Sequence, residues 1–258
     1  MDGYMTKLRN LAPLLLLAFA PAAALAEDYR FEVKGSYKDG DSGYHNVDSD
    51  SLALSGTWYF APVTTDGVPR SEAAFLGHAS SLSALVAQLD VLGTTLDAEA
   101  VSVDYYLPGT MFYFGAGASR EEFITALSST FVETDYDTTW FGTLGIAPLA
   151  GLLITTSFTD EDYDPNVTAR YVGKLPNDHF YAGSVSMVDP DRADPSFALD
   201  FDYYLDNSTS LGVGYTDAFF DRWEIRGEKF FSKSWAVGVS ASTSDGDDGF
   251  GINVTWRH

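Results

Sequence analysis

The sequence has 258 residues and no cysteine, and its 37 acidic residues against 15 basic ones give a formal charge of −22. That balance argues against a nucleic-acid partner, because phosphates are bound mainly by Lys and Arg. The lack of cysteine excludes disulfides, thiolate metal sites and a lipid-modified cysteine. An extensive core or a membrane therefore has to stabilise the chain.

The N-terminal segment is typical of a secretory signal peptide. Lys7 and Arg9 precede an apolar run that ends in Ala-Leu-Ala. We predict cleavage after Ala26, which removes residues 1–26 and leaves residues 27–258 as the mature chain. A retained helical anchor is the alternative, and two prolines within the apolar run disfavour it.

The composition favours strands over helices as membrane-spanning elements. Aromatic residues make up 15% of the chain, which also contains 23 glycines. The mean hydropathy is near zero, which is too polar for an α-helical membrane protein. It suits strands in which apolar and polar residues alternate.

The mature chain shows a period of two from its start. Between Tyr29 and Tyr37, apolar residues alternate with Arg30, Glu32 and Lys34. On a strand, these two sets face opposite sides. The same alternation predicts further strands at 51–60, 101–107, 166–175, 196–205, 223–228 and 250–257. Strands without a clear phase are predicted at 72–81, 111–118 and 180–187.

Three segments fit this pattern less well. WFGTLGIAPLAGLLITTSF, residues 140–158, is uncharged and long enough for a transmembrane helix. Its proline, glycines and threonines favour a hairpin that turns at 147–151. In 83–96 the leucines have helical spacing, and in 119–134 a serine and a glutamate resemble a capping box. Either of the last two could form a short helix folded over or into a pore mouth.

The connections alternate in length and charge. Along the chain, tight connections such as LPGT, APLAG and DNST alternate with longer polar ones such as DGDSGYHNVDSD, TDEDYDPN and VDPDRADP. We therefore predict an all-β fold, a closed antiparallel transmembrane β-barrel of about 14 strands, with 12 as the alternative count. Short turns would lie on the periplasmic side and longer acidic loops on the extracellular side. A soluble β-sandwich alternates similarly but would not explain this order of connections.

One strand–turn–strand plan occurs twice. DYYLPGTMFYFGAG at 104–117 is echoed by DYYLDNSTSLGVGY at 202–215. Tyrosine and tryptophan favour the boundary between lipid and water. Seven such residues in the outward phase are predicted at the membrane interfaces: Trp58, Tyr105, Trp140, Tyr203, Trp223, Trp235 and Trp256.

The opposite phase predicts a charged lumen wall. Its members are Arg30, Glu32, Lys34, Asp104, Arg170, Lys174, Asp200, Asp202, Glu224, Arg226 and Glu228. Such a wall can create a transverse field that orients solutes. It can equally be a lattice of ion pairs that braces the barrel, and the sequence leaves both interpretations open.

Other candidate chemistry is weak. Asp160, Asp162 and Asp164 match the start of a calcium loop, but a proline follows where an EF-hand needs glycine. His45 lies near Ser42, as in the Ser–His pair of a barrel lipase, without further support. We predict no enzymatic activity, no cofactor and no resident metal.

Four segments resemble one known family. GTWYFAPV at 56–63, SEAAFL at 71–76, VDYYLPGTMFYFGAG at 103–117 and GEKFFSKSWAVGVSAS at 227–242 are similar to the general porins of proteobacterial outer membranes. The resemblance implies a diffusion channel in the outer membrane of a Gram-negative bacterium. Its implied partners are outer-membrane lipid, lipopolysaccharide, the outer-membrane assembly machinery and small hydrophilic solutes. The chain departs from the family at its end, Trp-Arg-His, where outer-membrane barrels usually finish on an aromatic residue.

The predicted function is a passive water-filled channel for ions and small hydrophilic solutes, with a mild preference for cations. The alternative is a non-conducting surface barrel, an adhesin or envelope-stabilising protein, whose acidic loops bind a partner or divalent cations. A lipid-modifying barrel enzyme is a third class. Association of barrels into a homo-oligomer is left open.

Overall fold

The computed structural model describes residues 28–42, 47–91, 94–128, 131–160, 166–188, 195–217, 221–244 and 247–258. The predicted signal peptide lies outside these residues. The described residues form 14 strands: β1 Asp28–Ser42, β2 Val47–Thr64, β3 Ser81–Val91, β4 Thr94–Tyr106, β5 Phe112–Ser128, β6 Phe131–Leu149, β7 Leu152–Thr159, β8 Asn166–Lys174, β9 Phe180–Val188, β10 Ser196–Asp206, β11 Thr209–Thr216, β12 Arg222–Phe230, β13 Trp235–Ser244 and β14 Asp247–Arg257.

The strands close into a barrel. Each strand pairs with its neighbours in the sequence, and β14 pairs antiparallel with β1 in a register that runs from Glu32–Arg257 to Ser42–Asp247. Closure joins the free edges of the first and last strands, and so removes the open sheet edge that lipid does not tolerate. The predicted 14-stranded antiparallel barrel is confirmed, and the β-sandwich and the count of 12 are wrong.

The outer surface of the barrel is apolar. Leu199 and Phe201 on β10 are 50% and 47% exposed, and Ile225 on β12 is 65% exposed. The side chains between them, such as Asp200 and Arg226, face the lumen. A soluble protein does not leave such a continuous apolar band in water, so the band is the lipid-facing surface.

No helix in the described ranges is long and apolar enough to cross a membrane. The uncharged run at 140–158 is a hairpin, as predicted: β6 ends at Leu149 and β7 begins at Leu152. Gly151 in its turn has a φ of 78°, a conformation that glycine adopts without steric strain.

The two helices considered at 83–96 and 119–134 are wrong. The first segment contributes to β3 and β4, and the described part of the second contributes to β5 and β6. The leucine spacing of β3 arises because both of its faces carry apolar residues: Leu82 and Val86 face lipid, whereas Leu85 and Leu89 face the lumen.

The strand predicted at 72–81 is also wrong for most of its length. The connection from β2 to β3 covers residues 65–80 and contains a 3₁₀ turn, Arg70–Glu72, and a short helix α1, Ala73–Leu76. It lies at the end of the barrel where β1 begins, at Asp28, and where β14 ends, at Arg257. We call this the periplasmic end, because its other connections, such as 150–151 and 207–208, are short turns.

The buried core of the protein lies at this end. One cluster contains Tyr29, Tyr59, Val63 and Ala73. A second contains Val172, Phe180, Ala182 and Tyr204, with Phe75 and Leu76 packed against it. Both clusters include residues of the 65–80 connection, which therefore folds into the barrel and is called the plug below.

Candidate functional site: the lumen and its plug

The plug is fixed on one side by a buried carboxylate. Glu72 is 3% exposed, and Arg170 Nη2 on β8 lies 2.7 Å from each of its carboxylate oxygens. The hydroxyl of Tyr204 on β10 donates a hydrogen bond of 2.6 Å to the same carboxylate. These charge-assisted bonds offset the cost of burying the charge. Breaking them by removing one partner would leave an uncompensated charge at the interface between plug and wall.

Arg257 fixes the plug on the opposite side of the lumen. It is 5% exposed, and its Nη1 donates a 2.7 Å hydrogen bond to the carbonyl of Arg70 in the plug. Its Nε donates to Glu32 on β1 at 2.5 Å. The guanidinium lies 4.5 Å from the ring centroid of Tyr29 and 4.6 Å from that of Phe230. Arg257 on the last strand thus connects the first strand and the plug.

The periplasmic turns hold the first part of the plug. The amide of Arg70 donates to the carbonyl of Asn207 at 2.9 Å, and its Nη1 donates to the carbonyl of Ser232 at 3.2 Å. Lys233 Nζ lies 3.7 Å from the Asp66 carboxylate.

At the other end of the plug, the ring of His78 stacks on Tyr106 of β4 with centroids 4.8 Å apart. The plug therefore contacts the barrel around its circumference and crosses the lumen.

Above the plug lies an ionic cluster of Lys38, Asp200, Asp202, Glu224 and Arg226. Arg226 Nη1 is 2.7 Å from Asp200 Oδ1, and its Nε and Nη2 are 3.0 and 2.9 Å from the two oxygens of Asp202. Glu224 lies 3.9 Å from Arg226 and 3.2 Å from Lys38 Nζ. Three acids and two bases leave the cluster with one excess negative charge.

Two glycines make this cluster possible. Arg226 on β12 has to reach across β11 to the aspartates on β10, and β11 presents Gly212 and Gly214 at that point. A Cβ at Gly212 would lie 2.0 Å from Asp202 Oδ1 and 2.8 Å from Arg226 Nε. The glycine-broken run of the repeated sequence thus keeps space for the guanidinium.

The first copy of the repeat uses the same arrangement. Asp104 pairs across the ladder with Gly115 as Asp202 pairs with Gly212. The donor differs, because Asp104 accepts a hydrogen bond from the Tyr113 hydroxyl, whereas Asp202 accepts from Arg226.

Other predicted wall residues have distinct surroundings. Lys34 shares the inner face of β1 with Glu32. Glu228 shares the inner face of β12 with Arg226. Lys174 lies at the periplasmic end, 2.7 Å from Asp178 and 5.7 Å from the ring centroid of Phe180. The hydrogen bond from the Lys174 ammonium holds the pKa of the Asp178 carboxyl below its usual range.

Arg30 does not follow the predicted phase. The amides of Arg30 and Phe31 both donate to the carbonyl of His258 at 2.8 Å, which marks a β-bulge. The neighbouring Tyr29 is buried in the lumen against the plug, although the alternation predicted it outside. Arg30, next to an inward tyrosine, therefore does not share the face of Glu32.

The predicted interface aromatics lie in two groups. Trp58, Tyr105, Tyr203, Trp235 and Trp256 are near the periplasmic end, whereas Trp140 and Trp223 are near the opposite end. Tyr203 also contacts His179, with 2.5 Å between its hydroxyl and Nδ1. Two such groups correspond to the girdles that flank the apolar band of membrane barrels.

Among the described residues, no group of three His, Asp or Glu side chains is arranged to hold a metal ion. Asp162, Asp164 and His45 lie outside the described residues. Asp160 is described, and its carboxylate accepts a 2.7 Å hydrogen bond from the amide of Trp140.

The sequence did not identify three important side chains. Glu72 lies in the quoted SEAAFL segment, but a carboxylate in a connection gives no sign that it is buried. Lys38 lies in the interior phase of β1, but β1 extends to Ser42, beyond the last wall residue predicted on it, Lys34. Arg257 also lies in the interior phase, but its contact with the plug depends on residues far away in the sequence.

Comparison with known proteins supports the fold. No protein-family model matches the sequence, and a search of curated proteins finds no relative. The solved structure of outer membrane protein Omp33 from Acinetobacter baumannii aligns with a TM-score of 0.72 at 20% identity, over 90% of this chain and 99% of that one. The KdgM porin aligns less closely, with a TM-score of 0.43 at 12% identity over 86% and 98% of the two chains. OprB of Pseudomonas putida gives 0.46 at 8% identity over 94% and 96%.

The chain therefore has the closed β-barrel fold of Omp33. The apolar outer band and the two groups of aromatic residues are those of a barrel that crosses a membrane.

The glycine geometry of β11 generates a prediction for stability. Gly212→Ala should lower the free energy of unfolding by about 1–3 kcal/mol, because the methyl group displaces Asp202 and Arg226 from each other. Denaturant unfolding followed by tryptophan fluorescence measures this loss. The matched control is Gly183→Ala on the outer face, where the nearest atom would be the Asp200 carbonyl at 3.8 Å. Equal stability of the two variants would contradict the role of Gly212.

Proposed function

We propose that the protein is a porin, a passive channel for ions and small hydrophilic solutes, whose path is narrowed by the plug. The observation that carries this function is a closed barrel that is apolar outside and charged inside. A barrel of 14 strands lies between the small barrels that side chains fill and the wide porins with open channels. The ionic cluster lies in the lumen, where charged groups interact with passing ions.

The plug favours a second candidate. The plug contacts the wall around the lumen, so a barrel whose plug never moves would conduct poorly. Such a barrel would instead be a non-conducting surface or envelope-stabilising protein. The two functions differ in one measurable property, the current through a single barrel.

The excess negative charge of the ionic cluster supports a mild cation preference. Its two aspartates are paired with Arg226, so they cannot be removed without leaving that guanidinium uncompensated. The ion selectivity of the channel should therefore change when either the aspartates or Arg226 are neutralised.

Removal of the plug tests the channel. Replacing residues 65–79 by a short glycine–serine turn should raise the single-channel conductance in planar bilayers severalfold, because the crossing segment is gone. Glu72→Gln keeps the segment but removes its charge from Arg170, and it should give larger or more frequent openings. Asp178→Asn is the control, because that carboxylate is 87% exposed in a periplasmic turn and pairs with Lys174 of the wall rather than with the plug.

The outcomes separate the two candidates. A barrel that stays silent even without the plug would exclude the channel and leave the non-conducting alternative. Equal conductance of wild type and all variants would show that the plug does not narrow the path.

A second prediction concerns selectivity. The double change Asp200→Asn and Asp202→Asn turns the charge of the cluster from negative to positive, since Arg226 and Lys38 then outnumber Glu224. Reversal potentials in asymmetric KCl should shift toward anions. Asp178→Asn serves as the control, because that side chain is 87% exposed in a periplasmic turn. An unchanged reversal potential in the double variant would contradict a selective role for the cluster.

A further inference from the structure

One sector of the lumen is apolar. On the inner faces of β2, β3 and β4, a contiguous lumen patch consists of Ala53, Leu85, Ala87, Leu89, Ala98 and Ala100. The register joins its members, because Ala53 pairs with Ala87 and Ala87 pairs with Ala98. Leu85 and Leu89 are 38% and 37% exposed.

The inward direction of this patch follows from its neighbours on β3. Ser81 pairs with Tyr59, whose ring is buried against the plug. Ser83, two positions further, hydrogen-bonds Thr57 at 3.1 Å. Leu85, Ala87 and Leu89 continue the same face, since side chains of one strand face share a parity.

The patch lies opposite the two aspartates of the ionic cluster, Asp200 and Asp202. In the closed order of 14 strands, β3 and β10 are seven strands apart and thus face each other across the lumen. Leu85 is three residues from Leu82, which pairs with Trp58 of the periplasmic girdle. Asp200 is likewise three residues from Tyr203 of that girdle. The leucine and the aspartate therefore lie at a similar depth.

A lumen of this kind has two chemically different walls. An uncharged sugar or an inorganic ion gains nothing from exposed leucine. A solute that carries both charged groups and an apolar side chain can direct its charges toward the aspartates and Arg226. Its apolar part can then cover the leucines and remove them from water.

Resting on the proposed function, we propose that the channel favours small amphipathic zwitterions, namely amino acids with apolar side chains, over polar amino acids of the same charge. Leu85 and Leu89 are the residues that determine this preference. The ionic cluster contacts the ammonium and carboxylate groups that all these solutes share, so the distinction between them arises at the lumen patch.

The experiment compares the entry of leucine and serine into proteoliposomes. Both are zwitterions without net charge at neutral pH. They differ only in the side chain that would contact the lumen patch. Covering roughly 25 Å² of leucine surface corresponds to about a threefold change in partition. The double variant Leu85→Ser and Leu89→Ser should therefore lower the ratio of leucine to serine entry by about threefold. The matched control is Val86→Ser, which lies on the same strand but faces lipid and should leave the ratio unchanged.

The possible failures are distinguishable. If neither amino acid enters through the wild-type protein, the channel function itself is wrong. If both enter and the double variant keeps the wild-type ratio, or if the Val86→Ser control changes it equally, the assignment of the lumen patch is overturned while the channel stands.

Discussion

A sheet in lipid has to pair every backbone amide and carbonyl within itself, and this constraint determines most of the molecule. Fourteen antiparallel strands satisfy it because the last strand bonds to the first. Closure then fixes the two environments of the wall. Alternate side chains face lipid or the lumen, so the same strands carry an apolar band outside and charged groups inside.

The two buried apolar clusters of the described residues lie at the periplasmic end of the barrel. The plug brings apolar residues of α1 to the inner wall, where Phe75 and Leu76 pack against Val172 and Phe180. Two arginines complete the attachment, Arg170 at Glu72 and Arg257 at the carbonyl of Arg70. Because Arg257 also pairs with Glu32 on the first strand, this side chain links the plug to the seam between the first and last strands.

The sequence predicted the elements that follow a local rule. Period-two alternation located the barrel strands, and the turn chemistry of APLAG correctly favoured a hairpin over a helix at 140–158. The failures have physical causes. On β3 both faces are apolar, so alternation is lost and the leucines imitate a helix. At Arg30 a bulge shifts the phase, which no alternation can show.

The functional site was less accessible from the sequence than the fold. Charged residues of the wall could be named because they share a strand face, and Asp200, Asp202 and Arg226 do meet in the lumen. Their pairing depends on two glycines of the strand between them, a relation that appears only once the register is known. The plug depends on contacts between residues 72 and 204, or 70 and 257, and such distant pairs leave no periodic signal.

The strands separate lipid from a water-accessible lumen, and this separation can be tested directly because the chain has no cysteine. Single cysteines at Ser184, Val185, Ser186 and Met187 of β9 can be labelled in proteoliposomes with a small charged thiol reagent that does not enter lipid. Residues 184 and 186 face the lumen and should be labelled rapidly, whereas residues 185 and 187 face lipid and should be labelled little. Uniform labelling along the strand, or the opposite alternation, would contradict this separation.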